Sequence, residues 1–121
     1  MPDLNHNVAV EAQALRLDQQ HRVQEAVDLL LPLGRVGGLS GQAHYRLVRL
    51  LLEQSEVATA QEISDNALTR GADAWVLSAQ SHIYQTAYRQ DEALSYAERA
   101  WHLSPAIAEA GYALHSAHLL A

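Results

Sequence analysis

The chain has 121 residues, eight basic and fourteen acidic side chains, and no cysteine; all eight basic residues are arginine. That length is one ordinary domain. A formal charge of −6 with dispersed arginines argues against a nucleic-acid or anionic-membrane surface, and no cysteine means no disulfide or thiolate metal site.

Alanine (21) and leucine (19) make up about a third of the residues, with only three prolines, so the composition predicts an all-helical chain. Seven helical patterns follow one another. The first runs from Leu4 to about Asp18, with Asp3 as its cap. The second runs from His21 to about Leu33, where Pro32, Gly34, Gly37 and Gly38 supply stop chemistry. Ser40 caps a third pattern carrying Tyr45, Leu47, Val48, Leu50, Leu51 and Leu52. Ser55 is the expected cap of a fourth, running to Leu68 with Gly71 beyond. Asp73 caps a fifth, Ala74 to about Ala87, and the sixth covers about Gln90 to Leu103. Ser104-Pro105 reads as a cap with proline at the first helical position, opening a seventh helix over about 105–120. The patterns are short enough that each helix needs packing on its neighbours.

A repeat underlies these patterns. Ala26, Ala60 and Ala93 stand 34 and 33 residues apart, as do Leu33, Ala67 and Ala100, and Leu17, Leu51 and Tyr84. A period of that length holding two helical patterns is a helix–turn–helix unit.

Asp91-Glu92-Ala93-Leu94-Ser95-Tyr96-Ala97-Glu98-Arg99-Ala100-Trp101-His102-Leu103-Ser104-Pro105 resembles the second helix of a tetratricopeptide repeat, a family that favours small residues at positions 8, 20 and 27 of a 34-residue unit and proline at 32. Counting back from Pro105 gives a unit over 74–107 with Ser81, Ala93 and Ala100 at the small positions. A unit over about 41–73 has Val48, Ala60 and Ala67 there. One over about 7–40 has Ala14, Ala26 and Leu33, the last departing from the pattern.

The resemblance spans nearly the whole of 1–121 as a single domain. It implies a right-handed α-solenoid of antiparallel helix hairpins, seven helices in all, whose first helices line a concave groove. Its implied function is non-catalytic binding of a peptide or partner protein. The family's groove positions fall on Glu11, Leu15, Asp18 and Gln19; on Gln42, Tyr45, Arg49, Leu52 and Glu53; on Trp75, Ser78, His82, Gln85 and Thr86; and on Glu109, Tyr112, Ser116 and Leu119. Tyr45, Trp75 and Tyr112 are the expected anchors, since aromatic side chains supply large contact area at low entropic cost. Arg49, Ser78 and His82 are expected to add polar contacts, Arg49 either to a partner carboxylate or to Glu53 at i+4. His82 reads as a solvated histidine with no role or, in the middle of the groove, as a polar contact whose charge varies around pH 6–7.

The family's chaperone-binding members grip a C-terminal carboxylate with lysine, asparagine and arginine at set places. Glu11, Leu15, Arg46, Trp75 and Ala79 occupy those places here, so that clamp is not expected. Trp101, Tyr84, Tyr88 and Tyr96 are expected in the core. His115 and His118 stand i, i+3 with no carboxylate-x-x-His pair, and the glycines of 34–38 lack the lysine of a phosphate loop; neither a metal, a cofactor nor a catalytic constellation is expected.

No stretch has the roughly 18 consecutive apolar residues of a membrane span, and the N-terminus lacks the basic and apolar regions of a secretory signal, so membrane insertion is not expected and the cytoplasm is. Residues 106–121 carry one charge, Glu109. A bare apolar last helix points to homodimerisation through it, or to the chain being the docking segment of a larger enzyme such as a bacterial transferase or oxygenase; these are the alternatives to a free-standing interaction module.

Overall fold

The computed structural model describes residues 4–119, and its secondary structure is entirely helical: α1 (Leu4–Gln19), α2 (Val23–Val36), α3 (Gly41–Glu53), α4 (Val57–Arg70), α5 (Ala74–Thr86), α6 (Gln90–Leu103) and α7 (Ala108–His118). Each helix packs on the next in sequence, and α5 also packs on α3 and α7. The expected cap Asp3 lies outside the described residues.

The sequence period reappears as a period in backbone geometry. The connections α1–α2, α3–α4 and α5–α6 are three residues each, and their middle residues His21, Ser55 and Tyr88 all adopt left-handed φ of 60°, 61° and 57°. One residue later the N–H groups of Arg22, Glu56 and Arg89 return to the carbonyls of Leu17, Leu51 and Tyr84 at 2.8, 2.8 and 2.9 Å. A left-handed residue followed by such a return bond is the standard way to satisfy the last carbonyls of a helix. Four residues further on, Ala26, Ala60 and Ala93 are fully buried. Small residues there let the paired helices approach closely; Ser81 Oγ of α5 donates to the Ala93 carbonyl of α6 at 2.7 Å.

Several expected boundaries move. Ser40 and Asp73 cap as expected, accepting from Ala43 N–H and Val76 N–H at 3.2 and 2.8 Å. Ser55 instead closes α3, and α4 opens after Glu56 with no side-chain cap. α2 does not stop at Pro32–Gly34. It continues to Val36 and ends on Gly37 at φ 73°, where the left-handed backbone favours glycine. Gly34 has a packing role, because a Cβ there would stand 2.9 Å from Leu47 Cδ2 of α3. Ser104-Pro105 does not start the last helix. Ile107 N–H closes a turn on the Ser104 carbonyl at 3.2 Å, and α7 begins three residues after Pro105.

The core is continuous from Ala14 of α1 through Val27, Leu30, Leu47, Leu51 and Ile63 to Ile83 of α5. The α6–α7 end is packed with alanine, through Ala93, Ala97, Ala113 and Ala117. α5 is the central element: Ala74 and every residue from Val76 to Ile83 are buried, polar side chains included.

The expected aromatic core is only partly realised. Tyr84 and Tyr96 stack in parallel at 5.6 Å with Arg89 and Arg99 over their outer faces. Tyr88 is 83% exposed, because the left-handed turn it occupies directs it away from both helices. Trp101 remains 39% exposed and lies against Gly111 of α7, whose missing side chain makes room for the ring. Among the described residues no helix is long and apolar enough to cross a membrane.

Candidate functional site

Helices α3, α5 and α7 each contribute an aromatic residue to one open cavity of about 400 Å³. Its walls include Tyr45, Arg46 and Arg49 of α3, Trp75 of α5, and Glu109 and Tyr112 of α7, with Asp18 of α1 at its edge. A second cavity of about 290 Å³ adjoins it, and Arg49, Glu53 and Tyr112 line both.

The aromatic side chains are in mutual contact. Tyr45 meets Trp75 edge-on with ring centroids 5.9 Å apart, and meets His82 edge-on at 5.6 Å. His82 then lies 5.4 Å from Tyr112. Edge-to-face pairs of this kind hold one another's orientation. The cluster exists because α5 sits between α3 and α7, so that residues 30 and 67 positions apart from Tyr45 reach the same place.

Arg49 ties the cluster together. Its guanidinium lies over the Tyr112 ring at 5.4 Å from the centroid, and Nη1 reaches His82 Nε2 at 3.4 Å. Of the two alternatives for Arg49, the i+4 pairing with Glu53 is not made. Among the described residues, no carboxylate lies within 4 Å of Arg49, whereas Arg46 stands 3.8 Å from Asp18.

His82 differs from the expectation. It is buried, so it is neither a solvated histidine nor one that titrates near neutrality. Burial, reinforced by the adjacent charge of Arg49, lowers its pKa from 6.5 to about 4, against a weaker opposing effect of the Gln85 side chain. The tautomer follows from the partners. A guanidinium can only donate, so Nε2 accepts, the ring proton is on Nδ1, and the Tyr45 hydroxyl donates to the same Nε2 at 3.0 Å. Burial also raises the Tyr45 phenol above its ordinary value, with Arg49 opposing.

Ser78 is also displaced from its expected role. It is fully buried, and its Oγ donates to the Ala74 carbonyl at 2.7 Å, so it offers nothing to the cavity. The position expected to face a groove is covered, because α5 packs on α3, α4, α6 and α7. Glu11 is likewise committed, accepting from Ser40 N–H and Oγ at 2.9 and 2.7 Å across the start of α3. Leu50 and Ala108 line the cavity without having been anticipated; both are small or aliphatic and carry no sequence signal that separates them from core.

Four expected residues, Tyr45, Arg49, Trp75 and Tyr112, therefore line one cavity, the largely buried His82 lines the adjoining one, and Ser78 lines neither. Among the described residues no three histidine or acidic side chains cluster as a metal site would require. No protein-family model, no curated protein and no solved structure matches the chain.

Proposed function

We propose that this chain is a non-catalytic interaction module of the tetratricopeptide type, and that it binds an extended peptide or a partner's segment along α3, α5 and α7. The observation that carries the reading is the convergence of Tyr45, Trp75, Tyr112 and Arg49, from three helices, on one open cavity. Rigid aromatic side chains next to an arginine are the composition in which binding energy concentrates. The small buried residues at the repeat's close-packing positions, Ala14, Ser81, Ala26, Ala60 and Ala93, are what a stack of such hairpins needs.

The test compares capture of partner proteins by the wild type, by Tyr112→Ala and by Tyr45→Ala/Tyr112→Ala. Tyr112 is half exposed, so its truncation alone leaves the fold intact, and circular dichroism checks this. Capture is expected to fall sharply in the single variant and vanish in the double. Unchanged capture by both rejects the reading.

Self-association is the second reading, favoured by the exposure of three large apolar side chains toward the C-terminal end, Trp101, Leu103 and Leu119. Sedimentation at increasing concentration separates it from the first: a species of constant mass leaves the surface unexplained by dimerisation.

A further inference from the structure

Arg49 is a half-buried cation whose contacts do not neutralise it. The Tyr112 ring and the His82 imidazole are its partners, and both are uncharged. The cluster thus resembles an aromatic cation site already filled by the protein's own guanidinium. Among the described residues no counter-ion occupies its fork of donors, which faces open space and matches a carboxylate in plane and spacing. Two of the groove's acids, Glu53 and Glu109, line the same cavity but come no closer than 4 Å.

We propose that Arg49 is the receptor for one internal Asp or Glu side chain of a bound peptide, flanked by apolar or aromatic residues that rest on Tyr45, Trp75 and Tyr112. This rests on the groove reading above. The carboxylate belongs to a side chain and not to a chain end, because Arg49 lines both cavities and leaves open space on either side of the contact. A terminal carboxylate would fill one cavity and leave the other empty. Glu53 and Glu109 also limit the ligand to a single acid at that point, since they repel the neighbours in a run of acids.

Selection from two random peptide libraries tests the idea, one with blocked C-termini and one with free C-termini. Wild type is expected to enrich the blocked library in sequences with one central Asp or Glu between apolar residues, and Arg49→Gln is expected to lose that preference. In a selected synthetic peptide, Glu→Gln should weaken binding about tenfold or more, as for loss of a charged hydrogen bond. That arm does not depend on how well the protein variant folds. Arg49→Lys, which keeps the charge and loses the fork, should fall between wild type and Arg49→Gln.

Enrichment of basic residues, enrichment only with free C-termini, or an acidic preference that survives Arg49→Gln would overturn the assignment while leaving the groove reading standing. Enrichment of no ligand from either library rejects the groove reading, and this inference with it.

Discussion

The Tyr45 hydroxyl donates to Nε2 of His82 at 3.0 Å, joining two helices beneath the open face of the molecule. This bond fixes the Tyr45 ring against Trp75, and it holds His82 in the neutral tautomer that Arg49 requires. Tyr45→Phe removes the donor and keeps the ring. Urea denaturation should register a loss of about 1 kcal/mol, the usual net worth of one hydrogen bond. An unchanged midpoint would mean that Arg49 alone satisfies Nε2.

Acid should destabilise the fold before carboxylate titration is complete. His44 and His82 are both buried, and burial lowers each from 6.5 to about 4; for His44 the charge of Asp73 opposes the shift, and for His82 that of Arg49 adds to it. Between those values the unfolded chain binds protons that the folded chain does not. Stability therefore falls as pH drops from about 6.5 to about 4 and the effect levels off below that, by on the order of 3 kcal/mol per histidine. Urea midpoints measured from pH 7.5 to 4 should decline, and His44→Leu should flatten the decline.

His44→Leu has a second expected consequence at neutral pH. Nε2 of His44 is buried without a hydrogen-bond partner. Replacing an unsatisfied polar group by an apolar one of similar size is neutral or stabilising. A loss of more than about 1 kcal/mol at pH 7.5 would show that the imidazole is bonded in solution.

Two glycine exchanges should have opposite signs. Tyr88 is exposed and held at φ 57°, so Tyr88→Gly relieves a strained backbone while losing little contact, and should change stability by between zero and about +1 kcal/mol. Gly37→Ala places a Cβ at φ 73° and against the Arg70 guanidinium, which itself donates to the Val36 carbonyl at 2.7 Å. It should cost about 1 kcal/mol or more. Thermal melts of the two variants beside wild type check both signs.

The repeat makes one packing prediction. Ala93 is fully buried between α5 and α6, where Ser81 bonds to its carbonyl. Ala93→Leu should cost about 1–3 kcal/mol by forcing the helices apart. A variant as stable as wild type would mean that the hairpin tolerates a wider spacing than its bond to Ser81 implies.

The sequence alone determined a large share of this molecule. The helical class, the number of helices and the 34- and 33-residue period were legible because close-packed helix pairs demand small residues at fixed intervals, and that demand is written as Ala26, Ala60 and Ala93. The family resemblance, counted in that period, also pointed to Tyr45, Arg49, Trp75 and Tyr112, which do line one cavity. Depth was not legible. Repeat position says which way a residue points on its own helix, and says nothing of what covers it.

Only the tertiary structure decided that α5 is enclosed by its neighbours, so that Ser78 is lost to the interior and His82 becomes a buried, neutral base. Four buried polar residues on that helix, Ser78, Gln80, Ser81 and His82, hide its burial from any hydrophobic pattern. The partners of Arg49 were also beyond the sequence, because Tyr112 and His82 reach it from two other helices while the near neighbour Glu53 does not. Local spacing sets what a helix presents; the packing of α3, α5 and α7 sets which of those groups meet, and which charge is left without a partner.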